Sequence, residues 1–354
     1  MLVYAMLSAL SPARAVIERA VEDGVVPGAV AIAGTDTERW IVSVGGARRL
    51  GGEPVTPDTR YDLASLTKVV STLPAILKLV ADGEVRFSDT VQRFFANAGW
   101  IQMPSVANAT IAQLLTHTSG LPAWKPLFAL TNDRHTAIAN VLQTPLKYPS
   151  GHLMYSDLGM ILLGAIIERV STQRQDVFVR TSVFEPLQML NTDYGPLVGV
   201  PVAATEDCGW RGVLLEGVVH DENAYIMEGV AGHAGLFGTA EDLAIYSQAW
   251  LSLAGELGPD ALLLAAVKEH ARDNKERRAL GWKLAGDQSV VGRYASLNAY
   301  GHEGFTGTSL WLDPDQGWFA ALLTNRVHPD RSRGKGIDTL RRDYYEVVTK
   351  ALAK

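Results

Sequence analysis

The sequence predicts an α+β protein: an antiparallel sheet flanked by helices, with a mostly helical region inserted. Three observations carry that prediction. Apolar, β-branched runs gather near both ends of the 354-residue chain, helical periodicity fills the middle, and an amphipathic helix lies outside the strands at each end. Strands so far apart in sequence need partners, and the simplest packing joins them in one sheet under the terminal helices. The chain then divides into a discontinuous sheet region, 1–60 and 245–354, and a helical region, 61–244, with a cleft between.

Taken in order, Ser11-Pro12 reads as the cap and first turn of a helix through "ARAVIERAVEDG", ending at Gly24. "GAVAIAGT" and "RWIVSVGGA" follow as paired strands around a polar turn. "TIAQLLTH", "DLGMILLGAIIERVS" and "TAEDLAIYSQAWLSLAG" are apolar at helical spacing, and Thr239 with Asp242 has a capping-box pattern. Pro74 should kink or shorten the helix after Lys68. "TSLWLDPDQGWFAALLTN" reads as two strands around the turn Asp313-Pro314-Asp315-Gln316-Gly317. The last helix, "GIDTLRRDYYEVVTKAL", carries a stripe of Ile337, Leu340, Tyr344 and Val347 or Val348. No fixed-period repeat is visible, which argues against a solenoid or propeller.

Composition removes several function classes. A formal charge of −6, with no basic cluster longer than "DRSRGK" at 330–335, provides no footprint for nucleic acid. The single cysteine, Cys208, cannot form an internal disulfide and lacks the companions of a zinc site, so it reads as a buried thiol. No apolar run approaches the ~18 residues of a membrane span. The opening "MLVYAMLSALSPARA" ends in an Ala-x-Ala pattern at Ala13 and Ala15. It has no basic residue before its short apolar part, so a signal peptide is not expected and a cytoplasmic location is.

The chemistry starts at "YDLASLTKVV", where Ser65 and Lys68 stand three residues apart and so share a helix face. S-x-x-K occurs twice. The copy Ser332–Lys335 lies in a charged, glycine-containing loop and reads as chance, whereas the first precedes an apolar run that would desolvate the lysine and lower its pKa. A neutral lysine beside a serine is a base beside a nucleophile, and unpaired N–H groups at a helix start can stabilise an oxyanion. The pair alone also fits a plain cap with a snorkelling lysine.

"PSGHLMYSDLGMILLG" presents Tyr155 and Asp157 just before an apolar helix, and "YGHEGFTGTSLWLD" places His302, Glu303 and Gly304 at the entry to a C-terminal strand. His220, Asp221 and Glu222 of "VHDENAY", with His233 thirteen residues on, raise the possibility of a metal site. Consecutive side chains do not converge easily on one ion and no HExxH spacing exists, so no metal is expected. His117 in "LLTHTSGLP" reads as a hydrogen-bonded structural histidine. Neither a G-x-S-x-G elbow nor a dinucleotide glycine fingerprint is present, and no organic cofactor is expected.

"SLTK", "YSD" and "HEG", in that order and widely spaced, resemble the three motifs of the serine β-lactamase and penicillin-binding protein superfamily: S-x-x-K, Y-x-N, and K-T-G or H-x-G. "LLTHTSGLP" at 114–122, "EPLQMLNT" at 185–192 and "GHAGLFGTAEDLA" at 232–244 are similar to segments of its class C branch, which includes esterases, D-aminopeptidases and carboxypeptidases. "VHDENAY" also resembles a segment in members linked to cell-wall amino-sugar and peptide turnover. The resemblance covers nearly the whole chain. It implies a β-lactamase-like fold, Ser65 as acylated nucleophile, Lys68 as the amine beside it, and Tyr155 as general base with its phenolate favoured by the lysine. It further implies that His302 stands in for the third-motif lysine and that the N–H groups of Ser65 and Phe305 form the oxyanion hole.

Three departures bear on substrate. Asp157 replaces the usual asparagine, Glu303 replaces a small hydroxyl residue, and Phe305 replaces serine or alanine. A negative, bulky strand should repel or crowd the carboxylate of a β-lactam, so efficient β-lactam hydrolysis is not expected. The function expected is serine hydrolysis of ester, amide or small peptide substrates through an acyl-enzyme on Ser65. The alternatives are a D-Ala carboxypeptidase or class C β-lactamase and, from another class, a catalytically silent binding protein.

Overall fold

In a computed structural model of the chain, which describes residues 2–48, 51–96 and 106–353, strands from both ends meet in one eight-stranded sheet. They are β1 (Gly28–Gly34), β2 (Arg39–Gly45), β3 (Ala271–Arg272), β4 (Arg277–Arg278), β5 (Lys283–Leu284), β6 (Tyr300–Glu303), β7 (Ser309–Asp313) and β8 (Trp318–Thr324). The order is β2-β1-β8-β7-β6-β5-β4-β3, antiparallel throughout. The N-terminal hairpin joins the C-terminal one where β1 lies against β8, from Ala29 opposite Thr324 to Gly34 opposite Phe319.

Every residue of β1 and β8 is buried, because both faces of the sheet are covered. The period-two alternation sorts their side chains into two cores. Ala29, Ala31 and Ala33 join Trp311, Trp318, Tyr344 and Tyr345 under the terminal helices, α1 (Leu2–Glu22) and α5 (Ile337–Leu352). Val30 and Ile32 point the other way, with Leu310, Leu312 and Leu323, into the core shared with the helical region. α1 begins well before the expected cap, and Pro12 lies inside it; the side chains of residues 1–9 fall outside the described set.

The helical region contains α2 (Leu73–Ala81) and α3 (Asp157–Ser171), while α4 (Ala240–Leu251) packs on the sheet against β1 and β8. Ala64–Ala81 is, against the sequence expectation, an 18-residue stretch apolar enough on average for a span; 78% of it is buried as the middle of the core. It is not one helix. A 3-10 turn at Ala64–Leu66 and a π turn at Lys68–Thr72 precede α2, Pro74 sits in the first turn of α2, and the Tyr246 hydroxyl donates to Val69 O in the turn before it. At α4 only half of the expected capping box forms. Thr239 accepts from the Asp242 N–H, but the Asp242 carboxylate turns to Asn191 N and the Thr192 hydroxyl. A complete box caps Ile111–Leu115 instead, between Thr110 and Gln113.

Candidate active site

Ser65 lies in the tight turn that follows the two-residue strand Tyr61–Asp62, and several bonds fix that turn. Ala64, just before the serine, has φ 46°, a left-handed backbone that costs a residue with a Cβ about 1–3 kcal/mol. Asp62 supports it: one carboxylate oxygen accepts the Ala64 N–H at 2.9 Å and the other the His220 N–H at 2.7 Å. The loop after β6 binds the same segment, with the Thr306 hydroxyl donating to Asp62 O at 2.7 Å and that of Thr308 to Leu63 O at 3.1 Å. A Cβ on Gly304 would stand 2.1 Å from Thr308 Oγ1 and 2.8 Å from Leu63 O, so this glycine permits the close approach of strand loop and serine turn.

Lys68 is fully buried; its amine donates to Ser65 Oγ at 2.8 Å and His233 O at 2.9 Å and forms an ion pair with Asp157 Oδ1 at 2.8 Å. Burial alone would lower its pKa, as the sequence suggested. The Asp157 carboxylate, first among the groups that favour the charged form, offsets burial and the amine is held above its ordinary value, so the expectation of a neutral lysine is corrected. The sequence could not show this because the acid that pairs with Lys68 lies 89 positions away. Asp157 is the first residue of α3, where the helix dipole also favours a carboxylate.

Tyr155 precedes α3 in a loop tied down by Met154 N to His117 O, Ser156 Oγ to Pro122 O and Ser156 N to His117 Nδ1. Its Oη donates to Ser65 Oγ at 3.0 Å. Burial raises the phenol's pKa; Lys68 pulls it down, but not below the ordinary value, so the resting group is a phenol and not the favoured phenolate that the resemblance implied. The ring packs between two buried imidazoles, 4.6 Å from that of His117 and 5.8 Å from that of His302. Both are neutral: burial, then the charge of Arg278, then that of Lys68 push their pKa values well down. His302 donates Nδ1–H to Glu303 O at 2.9 Å and its Nε2 has no partner, so it packs on Tyr155 without a hydrogen bond to it.

Besides Lys68, whose amine lies 5.1 Å from the Tyr155 ring centre, a second positive charge beside the tyrosine comes from a residue that sequence reasoning passed over. Arg278, buried on β4, places its guanidinium carbon 5.3 Å from the Tyr155 ring centre and donates through Nη2 to Glu276, leaving Nε and Nη1 without partners. No motif marks it, and it reaches the site only because β4 lies two strands from β6. Glu303 is less repulsive than its charge suggested, since Lys283 on the neighbouring strand lies 3.5 Å from its carboxylate.

Phe305, half exposed, stands between His220, stacked at 5.6 Å, and the Arg326 guanidinium at 4.5 Å. It divides the space in front of Ser65. One cavity, about 350 Å³, is lined by Asp62, Trp124, Asp221, Glu222, His233 and Arg331; the other, about 470 Å³, by Arg278, His302, Glu303, Arg326 and Arg341. Ser65, Tyr155 and Phe305 border both. The histidines of the first side pair with acids, His220 with Glu206 at 3.0 Å and His233 with Asp221 at 2.9 Å, and among the described residues no three ligand-type side chains converge on one point. Of the second S-x-x-K copy, Ser332 and Lys335 are both exposed, far from such surroundings.

A protein-family model described as Beta-lactamase matches residues 13–343. A protein of Escherichia coli K12 named "Putative D-alanyl-D-alanine carboxypeptidase" is 33% identical over 306 residues, covering 77% of this chain and 70% of that protein. A Salmonella typhi protein of the same name is 33% identical over 308 residues, covering 77% and 71%. Among solved structures, EstCE1, described as a hydrolase with promiscuous acyltransferase activity, superposes with TM-score 0.79 at 18% identity, covering 99% of this chain and 100% of that one. The octameric penicillin-binding protein homologue from Pyrococcus abyssi superposes with TM-score 0.73 at 21% identity, covering 93% and 76%.

Proposed function

The chain belongs to the Beta-lactamase family and is a serine hydrolase with the β-lactamase-like fold, and from that premise we propose that Ser65 is its acylated nucleophile, acting on short peptides that end in a carboxylate and on simple esters. The observation that carries the reading is the convergence of Lys68 Nζ and Tyr155 Oη on Ser65 Oγ at 2.8 and 3.0 Å. Ser65 Oγ attacks the substrate carbonyl carbon. Its proton passes to Tyr155 Oη as the tyrosine's own proton moves to the leaving atom, so no free phenolate accumulates. The charge of Lys68, fixed by Asp157, stabilises negative charge developing on the phenol.

The carbonyl oxygen is received by the N–H groups of Ser65 and Phe305. The β6–β7 ladder closes at Glu303 opposite Ser309, and Gly304 N–H still donates to Thr308 O, so the Phe305 N–H is the first that the hairpin does not use. Water then attacks the acyl-enzyme, the same relay runs in reverse, and the acid is released with Ser65 restored. The substrate carboxylate belongs in the cavity lined by Arg278, Arg326 and Arg341, beside the tyrosine that protonates the leaving group. Support for this class comes from the arginine lining of that cavity and from the names of the relatives.

The experiment is mass spectrometry of the protein after p-nitrophenyl acetate and, separately, a penicillin, with Ser65→Ala as control. Acyl mass on the peptide holding Ser65, absent from the control, is the expected result. Its absence with both reagents, and no release of D-Ala from a D-Ala-D-Ala peptide, would overturn the reading.

A further inference from the structure

We infer that Arg341, buried on α5 and marked by no motif, is a positioning residue for the oxyanion site, holding and polarising the peptide group between Gly304 and Phe305. The inference rests on the reading that Ser65 is acylated while the Phe305 N–H receives the carbonyl oxygen.

The carbonyl of Gly304 and the N–H of Phe305 are the two ends of one planar peptide unit, so whatever fixes the oxygen also aims the N–H. Arg341 Nη2 donates to Gly304 O at 2.7 Å and to Thr308 O at 2.8 Å, bridging the two ends of the loop between β6 and β7. A charge-assisted bond on the oxygen polarises the unit and makes its N–H a stronger donor. The same bond resists rotation of the peptide plane, which would turn the N–H away from Ser65. One turn further along α5, Tyr345 Oη donates to Ser309 Oγ at 3.0 Å, so the same helix also holds the start of β7.

Packing alone does not call for a guanidinium here. Both carbonyls already have a backbone partner, Gly307 N–H on Gly304 O at 3.1 Å and Gly304 N–H on Thr308 O at 2.7 Å, so neither would be left unsatisfied without Arg341. Burying the charge is unfavourable in itself. Arg341 is 6% exposed, its Nε has no partner, and the carboxylate it pairs with, Asp338 at 3.1 Å, is largely exposed. A second guanidinium meets the same loop, with Arg326 Nε donating to Phe305 O at 2.7 Å; burial, then the charge of Arg341, push the Arg326 pKa down. Two like charges held against the carbonyls of one loop raise the positive potential where the substrate oxygen becomes negative.

The test compares Arg341→Met and Arg341→Lys with the unaltered protein. p-Nitrophenyl acetate has no carboxylate, so a loss on it does not come from binding a substrate carboxylate. Phenylboronic acid reports the tetrahedral state, because Ser65 Oγ adds to boron, its proton leaves to solvent, and a boron-bound oxygen takes the oxyanion position. In Arg341→Met, kcat and kcat/KM on the ester should both fall about 10- to 100-fold with KM nearly constant, since acylation and deacylation use the same site. The Ki of phenylboronic acid should rise by about the same factor. Arg341→Lys, which keeps the charge and can make one of the two bonds, should recover part of both. Ester kinetics within about twofold of the unaltered protein would overturn the inference while acyl mass on Ser65 kept the acyl-enzyme reading standing. A loss with no rise in Ki, or a loss confined to release of D-Ala from a D-Ala-D-Ala peptide, would also overturn it. If urea unfolding shows that Arg341→Met does not fold, Arg341→Lys decides by the same two readouts, with a change of about threefold or more expected in each. Absence of both boronate inhibition and acyl mass on Ser65 in the unaltered protein would remove the acyl-enzyme reading, and the role of Arg341 with it.

Discussion

Lys68 Nζ and Asp157 Oδ1 lie 2.8 Å apart, an ion pair between a fully buried amine and the first residue of a helix. The pair sets the state of the whole site, because it keeps the amine charged where burial would discharge it. Asp157→Asn should therefore lower the Lys68 pKa and move the alkaline limb of the acylation pH profile to lower pH. The sign for stability follows from the raised folded value. The contribution is complete below the unfolded amine's ~10.4 and is lost only as pH climbs through the higher folded pKa. In the variant that loss should begin at lower pH, which urea unfolding across alkaline pH would measure.

Tyr155→Phe removes the phenol that donates to Ser65 Oγ and leaves the ring packing with His117 and His302 in place. The expected loss in kcat/KM is about 10²- to 10⁴-fold, with little change in melting temperature. A loss below about fivefold would show that the proton of Ser65 leaves by another route.

Arg278→Met keeps a long apolar stem on β4 but deletes the two unpaired N–H groups. Release of D-Ala from a carboxylate-terminated peptide should fall about 10- to 100-fold in kcat/KM, more than hydrolysis of p-nitrophenyl acetate falls. Equal losses on both substrates would assign Arg278 to the tyrosine and not to the substrate carboxylate.

Gly304→Ala puts a methyl group where Thr308 Oγ1 and Leu63 O already lie. Displacing that contact should cost about 1–3 kcal/mol, read as a lower urea midpoint at unchanged m-value, and should slow acylation because the displaced segment carries Ser65.

Nitrocefin should be cleared well below the ~10⁶ M⁻¹s⁻¹ of an efficient β-lactamase. The reason now rests more on the Phe305 wall between His220 and Arg326 than on Glu303, whose charge is shared with Lys283. Phe305→Ser should raise the rate of penicillin acylation, measured by the appearance of the adduct mass.

Much of this protein is fixed by local pattern. Apolar, β-branched runs in "GAVAIAGT" and "TSLWLDPDQGWFAALLTN" marked the strands, the turn residues at 313–317 placed the hairpin, and the ordered motifs singled out Ser65, Lys68 and Tyr155, which the fold brings together. Such signals are legible because a strand's faces and a helix's turns repeat every few residues, so the information lies within one short window. What needed the folded chain was every property that depends on neighbours distant in sequence. The charge of Lys68 comes from Asp157, the neutrality of His302 from burial and Arg278, and the division of the cleft from Phe305 clamped by His220 and Arg326. An ionisable group's state is the balance of desolvation and nearby charge. That balance exists only once the sheet and the helices have brought those charges within a few ångströms of one another.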